Sequence, residues 1–289
     1  KTNEQIAMQV SANSIAVNLM LSIFKLIAGL MASSGAMISD AIHSASDVFS
    51  TIIVIIGVKI SGKASDEDHP YGHDRFECVA SIILAILLGV TGVGIGLTGV
   101  QKLTAGHYDT LAVPGVLALA AAVISIVVKE IMYWYTRNAA KKINSGALMA
   151  DAWHHRSDAL SSVGSFVGIF GARMGFPMLD PLASVVICLF VVKAAVDIFR
   201  DAISKMTDKS CDQETVNEMH DCIMNIRGVE GIDLLKTRSF GSKYYVDIEI
   251  KADGDKKLWE AHAIAENVHH VIEQQFPLVK HCMVHVNPA

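Results

Sequence analysis

Six long apolar runs occupy the first two thirds of the chain, separated by short polar or glycine-bearing breaks. Each run is close to the roughly 20 residues that a helix needs to cross about 30 Å of hydrocarbon. The pattern therefore predicts an α-helical membrane protein with six transmembrane helices. Their expected bounds are 9–31, 36–60, 78–102, 111–135, 147–172 and 180–203.

The pattern becomes that of a soluble domain from about Met206. Helical apolar spacing and short alternating segments follow one another in the order αββαβ. The expected elements are a helix over 213–226, strands over 231–237 and 244–250, a helix over 258–276 and a strand over 282–286. This order fits a small open sheet with both helices on one face. We therefore expect a transmembrane domain, 1–205, and a C-terminal α+β regulatory domain in the cytoplasm, 206–289.

The amino-acid composition is typical of a membrane protein and excludes some classes of function. The chain is 52% hydrophobic and 18% charged, which is too apolar for an ordinary soluble domain. With a net charge of −5 and no long basic block, nucleic acid is not an expected partner. The five cysteines form no C-x-x-C pair, so we expect reduced thiols rather than disulfides or a zinc finger. The first apolar run lacks a signal-peptide cleavage pattern and is expected to be a permanent span.

Basic residues lie in alternate connections between the predicted helices. By the positive-inside rule this side faces the cytoplasm, and both termini are expected there in a multi-pass protein of the cell membrane. The residues concerned are Lys59, Lys63 and Arg75, then Arg137, Lys141 and Lys142, and finally Arg200, Lys205 and Lys209.

Two of the predicted helices carry the same spacing of ionisable residues. The second contains DAIHSASD and the fifth DAWHHRSD, so D-x-x-H-x-x-x-D occurs twice. His43 and Asp47, like His154 and Asp158, are four residues apart and share one helix face. Charge inside a membrane is costly and usually functional. Two imidazoles and two carboxylates suit tetrahedral zinc, and would also accept cobalt, cadmium or iron(II). Interhelical hydrogen bonding is the structural alternative.

Other ionisable residues in the predicted helices call for simpler interpretations. Asp40 and Asp151 precede the two His–Asp pairs and are expected to support the ligands rather than bind metal. Lys25, Lys129 and Glu130 are expected to snorkel toward the membrane surface or to pair locally.

Two further groups of residues are weaker candidates for metal binding. The connection after the second helix contains Asp66, His69 and His73, which could form a weak or structural site or simply be solvated. The C-terminal domain contains six histidines, and surface histidines are common in soluble domains. Among them, His262 and His285 are the better candidate ligands.

The repeated H-x-x-x-D, the loop sequence HPYGH and the αββαβ domain together resemble the cation diffusion facilitator family, over essentially the whole chain. The resemblance implies a homodimeric, proton-coupled exporter of divalent metal. In that family the transport site corresponds to His43, Asp47, His154 and Asp158, and a second site to the loop cluster. The resemblance also implies a ferredoxin-like, metal-sensing domain that dimerises in the cytoplasm. Its site aligns with Asp233, Glu249, His262 and His285.

The function expected from the sequence is efflux of divalent transition-metal cations, with Zn²⁺ as the first expectation, by alternating access. The expected partners are a second copy of the chain, the lipid bilayer, metal ions and protons. Export of Fe²⁺, Mn²⁺, Cd²⁺ or Co²⁺ through the same site, a metal-gated channel and a metal sensor remain alternatives. An enzyme is not expected, because four protein ligands leave no open position for catalysis.

Overall fold

The computed structural model describes residues 2–31, 35–105, 116–174, 176 and 178–289. The chain divides into two compact units, Lys1–Ala202 and Ile203–Ala289. The first unit is helical and the second combines two helices with a sheet. The fold class expected from the sequence is therefore confirmed.

The described part of residues 1–206 forms six helices. They are α1 (Asn3–Met31), α2 (Gly35–Ser61), α3 (Phe76–Ala105), α4 (Val116–Ile143), α5 (Gly146–Arg173) and α6 (Leu179–Met206). Most extend past their apolar runs, because helical hydrogen bonding continues into the polar flanks. The extension is largest in α4, whose run ends near 135. Within the described residues, α1 over Asn3–Ala28 and α3 pass a test for spanning a membrane by length and composition alone.

Small residues bring the helices of this unit close together. Gly92, Gly96 and Gly99 of α3 face α6, and a Cβ added at Gly96 would lie 2.8 Å from Cys188 Cβ. Small residues at helix interfaces allow such close approach within a membrane. On α2, a Cβ at Gly57 would meet the Cβ of Ala80 in α3. Close packing of these helices therefore requires glycine at the contact positions, where a side chain would collide with the neighbouring helix.

A three-stranded sheet and two helices form the second unit. They are α7 (Gln213–Met224), β1 (Gly231–Phe240), β2 (Lys243–Ala252), α8 (Leu258–Gln275) and β3 (Val279–Pro288). The strand order is β1-β2-β3, with β1 antiparallel and β3 parallel to β2. The strands are longer than the sequence pattern predicts, since β1 and β2 continue up to a turn where Gly241 has φ 66°.

Alternation along β2 separates the two faces of this sheet. Val246, Ile248 and Ile250 are buried in one core with Val268 and Ile272 of α8. Side chains alternate between faces along a strand, so Asp247 and Glu249 lie on the face opposite to α8. One face thus forms the core, and the other presents carboxylates.

Candidate metal site

Asp47 of α2 and His154 and Asp158 of α5 form a buried cluster. One ligand atom from each lies within 4.8 Å of the others. His154 Nε2 lies 3.5 Å from Asp47 Oδ1, and the Asp47 side chain is only 2% exposed. The one-turn spacing of His154 and Asp158 places them on the same face of α5. The cluster offers one imidazole and two carboxylates to a single ion.

His43 lies on α2 one helical turn before Asp47, and its side chain is outside the described residues. Residues four apart share a helix face, so the backbone of His43 lies on the side of α2 that carries Asp47. Asp40 also lies outside the described side chains.

Lys129 of α4 contacts the same cluster, which the sequence did not indicate. Its Nζ donates hydrogen bonds to Asp47 Oδ2 at 2.5 Å and to Asp158 Oδ2 at 2.9 Å. The residue is 2% exposed. The expectation that Lys129 snorkels or pairs locally is therefore wrong. The reason is the position of its partners: Asp47 of α2 and Asp158 of α5 lie within hydrogen-bond distance of Nζ, so the ammonium pairs with them inside the helical unit.

Asp151 links α5 to α2 beside the cluster. Its Oδ1 accepts a hydrogen bond from Thr51 Oγ1 at 3.2 Å, and Ser50 Oγ lies 3.4 Å from the same oxygen. Its Oδ2 is 3.5 Å from Nε2 of the fully buried His155. The carboxylate therefore links the two helices that carry the cluster.

Glu130 of α4 and Arg156 of α5 form an ion pair between these two helices. Arg156 Nη2 lies 3.4 Å from Glu130 Oε1, and the guanidinium lies 4.3 Å from the centre of the Tyr133 ring. Like Lys129, Glu130 is therefore paired with a residue of another helix. Stacking of the guanidinium on Tyr133 adds a cation–π contact.

The loop between α2 and α3 brings Asp66, His69 and His73 together. One ligand atom from each lies within 4.8 Å of the others. His73 Nε2 is 3.4 Å from Asp66 Oδ2, and the backbone N–H of His69 donates to Asp66 Oδ1 at 2.8 Å. Lys63 Nζ also donates to Asp66 at 2.6 Å. This hydrogen bond and that from His69 hold the pKa of Asp66 well below its usual value.

In the second unit, Asp233 and Glu249 share a hydrogen-bonded group with Asn287. Asn287 Nδ2 lies 3.0 Å from Asp233 Oδ2 and 3.4 Å from Glu249 Oε2. Lys251 Nζ lies 2.9 Å from Asp233 Oδ1. Hydrogen bonds from Lys251 and Asn287 lower the pKa of Asp233. The carboxylates are thus together on the face of the sheet opposite to α8.

The two histidines proposed for this group occupy different places. His285 pairs in register with Glu249 across β2 and β3, so it lies beside the carboxylates. His262 is exposed on α8, which packs against the other face of the sheet. Within one protomer, the structure brings three of the four predicted residues to one face and places His262 on the other.

Comparison with known families covers nearly the whole chain. Residues 11–207 match the family described as cation efflux transmembrane domain, and residues 211–289 match the cation efflux protein, cytoplasmic domain. The chain is 33% identical to the manganese efflux system protein MneP of Bacillus subtilis, over 99% of this chain and 97% of MneP. It is 30% identical to the magnetosome protein MamB of Magnetospira sp. (strain QH-2), over 94% of this chain and 92% of MamB.

A plant relative and a solved domain extend the comparison. Metal tolerance protein C1 of Arabidopsis thaliana is 33% identical over 93% of this chain, which spans 60% of that protein. A solved C-terminal domain of MamM is 23% identical, with a TM-score of 0.26 over 27% of this chain and 100% of the domain. Because the two family matches together account for both units, the chain belongs to the cation diffusion facilitator family of metal efflux transporters, and it is not an enzyme.

Proposed function

We propose that this transporter exports Zn²⁺ from the cytoplasm in exchange for protons, through a site formed by His43, Asp47, His154 and Asp158. The observation that carries the proposal is the buried cluster of Asp47, His154 and Asp158 between α2 and α5. Carboxylates inside a membrane domain are costly and usually mark the path of an ion. With His43 one turn away on α2, the ion would have two nitrogen and two oxygen ligands.

The ligand chemistry supports zinc as cargo. Zn²⁺ has no geometric preference from its d electrons and accepts four mixed imidazole and carboxylate ligands. An imidazole binds metal only when neutral, and free imidazole titrates near pH 6.5. Protons arriving from the outer side would therefore compete with the ion and release it. Alternation between inward and outward access would follow from rocking of helix pairs around the site.

Manganese is the second candidate cargo, because MneP is named for manganese efflux and resembles this chain over almost its entire length. Mn²⁺ prefers more oxygen ligands than zinc does. The two carboxylates would bind either ion, whereas the two imidazoles favour Zn²⁺ over Mn²⁺.

The proposal also includes the membrane topology, the oligomeric state and two further metal sites. We place residues 1–205 in the membrane and 206–289 in the cytoplasm, with both termini on the cytoplasmic side of the cell membrane. The working unit is a homodimer, in keeping with the name ZT_dimer of the second family match. Asp66, His69 and His73 would hold a second metal ion, and Asp233, Glu249 and His285 a regulatory one. His262 could join the regulatory site only from another protomer.

Asp158→Ala tests the transport site. The change removes a ligand but little volume, so we expect Zn²⁺ uptake into proteoliposomes to be lost while the protein remains folded. Asp197→Ala, which removes an exposed carboxylate from α6, is the matched control and should transport normally. Transport by Asp158→Ala at the wild-type rate would rule out this site.

Two further measurements test proton coupling and the identity of the transported ion: Zn²⁺ uptake with and without a pH gradient, and uptake with Zn²⁺ and Mn²⁺ both present. With an acidic vesicle interior, Zn²⁺ uptake should rise and should fall again when an ionophore collapses the gradient. Uptake that does not depend on the pH gradient would favour a channel over an antiporter. With both ions present, faster uptake of Mn²⁺ than of Zn²⁺ would make manganese the cargo.

A further inference from the structure

Lys129 is held between the two carboxylates of the transport site. Its Nζ lies 2.5 Å from Asp47 Oδ2 on α2 and 2.9 Å from Asp158 Oδ2 on α5. The side chain is 3% exposed, and the midpoint position on α4 keeps it far from both helix ends. Because the ammonium is almost completely buried, its charge has to be compensated by these two carboxylates.

Two other lysines bind carboxylates of predicted metal sites, but in a different setting. The side chain of Lys63 beside Asp66 is 61% exposed, and that of Lys251 beside Asp233 is 46% exposed. Exposed ion pairs of this kind exchange readily with solvent and contribute little. Lys129 differs because the carboxylates hold it in a buried position. Its contact therefore constrains what else can bind there.

An ion and the ammonium compete for the same oxygens. A zinc ion bound to Asp47 Oδ2 at about 2.0–2.2 Å would lie within about 4.7 Å of Nζ, given the 2.5 Å hydrogen bond. Two cations at that separation repel strongly in a buried site. In the loaded site the two charges of the divalent ion already balance the two carboxylates, so the ammonium would add an uncompensated positive charge. We therefore expect cargo binding to displace Lys129 from at least one carboxylate.

We propose that Lys129 is a tethered counter-ion of the transport site: it takes the place of the cargo in the empty carrier and lowers the affinity for metal. This inference rests on the function proposed above. In the metal-free state the ammonium offsets one of the two carboxylate charges. The metal-free, proton-loaded site can then change its exposure. Lys129 thereby permits release of the ion and return of the carrier.

The first test measures equilibrium Zn²⁺ binding to the purified full-length protein at fixed pH. Binding lost in Asp158→Ala is assigned to the transport site. At that site, Lys129→Met should bind Zn²⁺ at least about tenfold more tightly than wild type, since close charge pairs couple by this much or more. Lys129→Arg keeps the charge and should stay near wild type. Lys193→Met removes an exposed lysine from α6 and should have no effect.

The second test separates net transport from exchange in proteoliposomes. Exchange of labelled for unlabelled Zn²⁺ needs only the loaded carrier, so Lys129→Met should retain it. Net uptake requires the metal-free, proton-loaded carrier to return and should fall well below wild type. A purely structural role would not predict tighter binding together with preserved exchange. Lys129→Gln replaces the Met variant if the latter does not purify as a single species.

The outcomes distinguish this inference from the proposed function. If Asp158→Ala binds Zn²⁺ like wild type, the transport site itself is wrong, and the role of Lys129 is wrong with it. If Asp158→Ala loses binding but Lys129→Met and Lys129→Gln keep wild-type affinity, only the counter-ion is overturned. Weaker binding in both neutral variants would likewise overturn it and would make Lys129 a support for the ligands.

Discussion

Thr51→Val tests whether the hydrogen bond between α2 and α5 stabilises the proposed transport site. Thr51 Oγ1 donates to Asp151 Oδ1 at 3.2 Å, and both residues are fully buried. Valine keeps the shape of threonine and removes only the donor. Ser50 compensates poorly, because its single hydroxyl proton serves the shorter bond to the Asp47 carbonyl at 2.7 Å rather than the 3.4 Å contact with Asp151.

The expected cost follows from this geometry. A hydrogen bond to a charged group contributes about 1.5–3 kcal/mol, and the 3.2 Å length places this one near the lower end, about 1.5–2 kcal/mol. For a unit of this size, each kcal/mol shifts the melting temperature by about 2–4 °C. Thr51→Val should therefore melt about 3–8 °C below wild type. Ser50→Ala should lose less than half as much.

The assay heats detergent-solubilised full-length protein at one fixed rate and measures the remaining monodisperse fraction, since unfolding of such proteins is commonly irreversible. Neither Thr51 nor Ser50 is a proposed ligand, so transport per folded molecule should stay near wild type. A midpoint for Thr51→Val within about 1 °C of wild type, or a larger loss in Ser50→Ala, would refute the assigned role of Asp151.

Two further predictions concern packing in each unit. Gly96→Ala should destabilise the membrane unit by about 1–3 kcal/mol, because the new Cβ would collide with Cys188. Gly94→Ala meets no atom within 4 Å and should be neutral or mildly stabilising in the same heating assay, so equal losses would contradict the α3–α6 contact. Burial raises the pKa of Cys282 to about 12, so at pH 8 its thiolate fraction is about a thousandfold below that of an ordinary thiol. Mass spectrometry after iodoacetamide treatment should show Cys282 unlabelled until denaturant is added, with Cys222 labelled first; rapid labelling of native Cys282 would place it outside the core.

Local patterns in the sequence were sufficient for the element order and for the composition of the candidate site. Apolar runs of spanning length predict helices because the bilayer requires internally hydrogen-bonded backbone. The alternation of Val246, Ile248 and Ile250 with acidic residues predicts a strand with one buried face, as observed. The spacing of His154 and Asp158 needs only helical geometry to place them together. These properties depend on residues within a few positions of one another.

Tertiary structure decided which residues from different helices meet. Lys129 contacts Asp47 and Asp158 because α4 packs with this side toward residues of α2 and α5. An apolar run shows where a helix crosses hydrocarbon, but not how far its polar ends extend or which face meets a neighbour. The separation of His262 from Glu249 likewise follows from packing of α8 on one face of the sheet. Both depend on contacts between distant parts of the chain, whose geometry is set by side-chain packing rather than by sequence spacing.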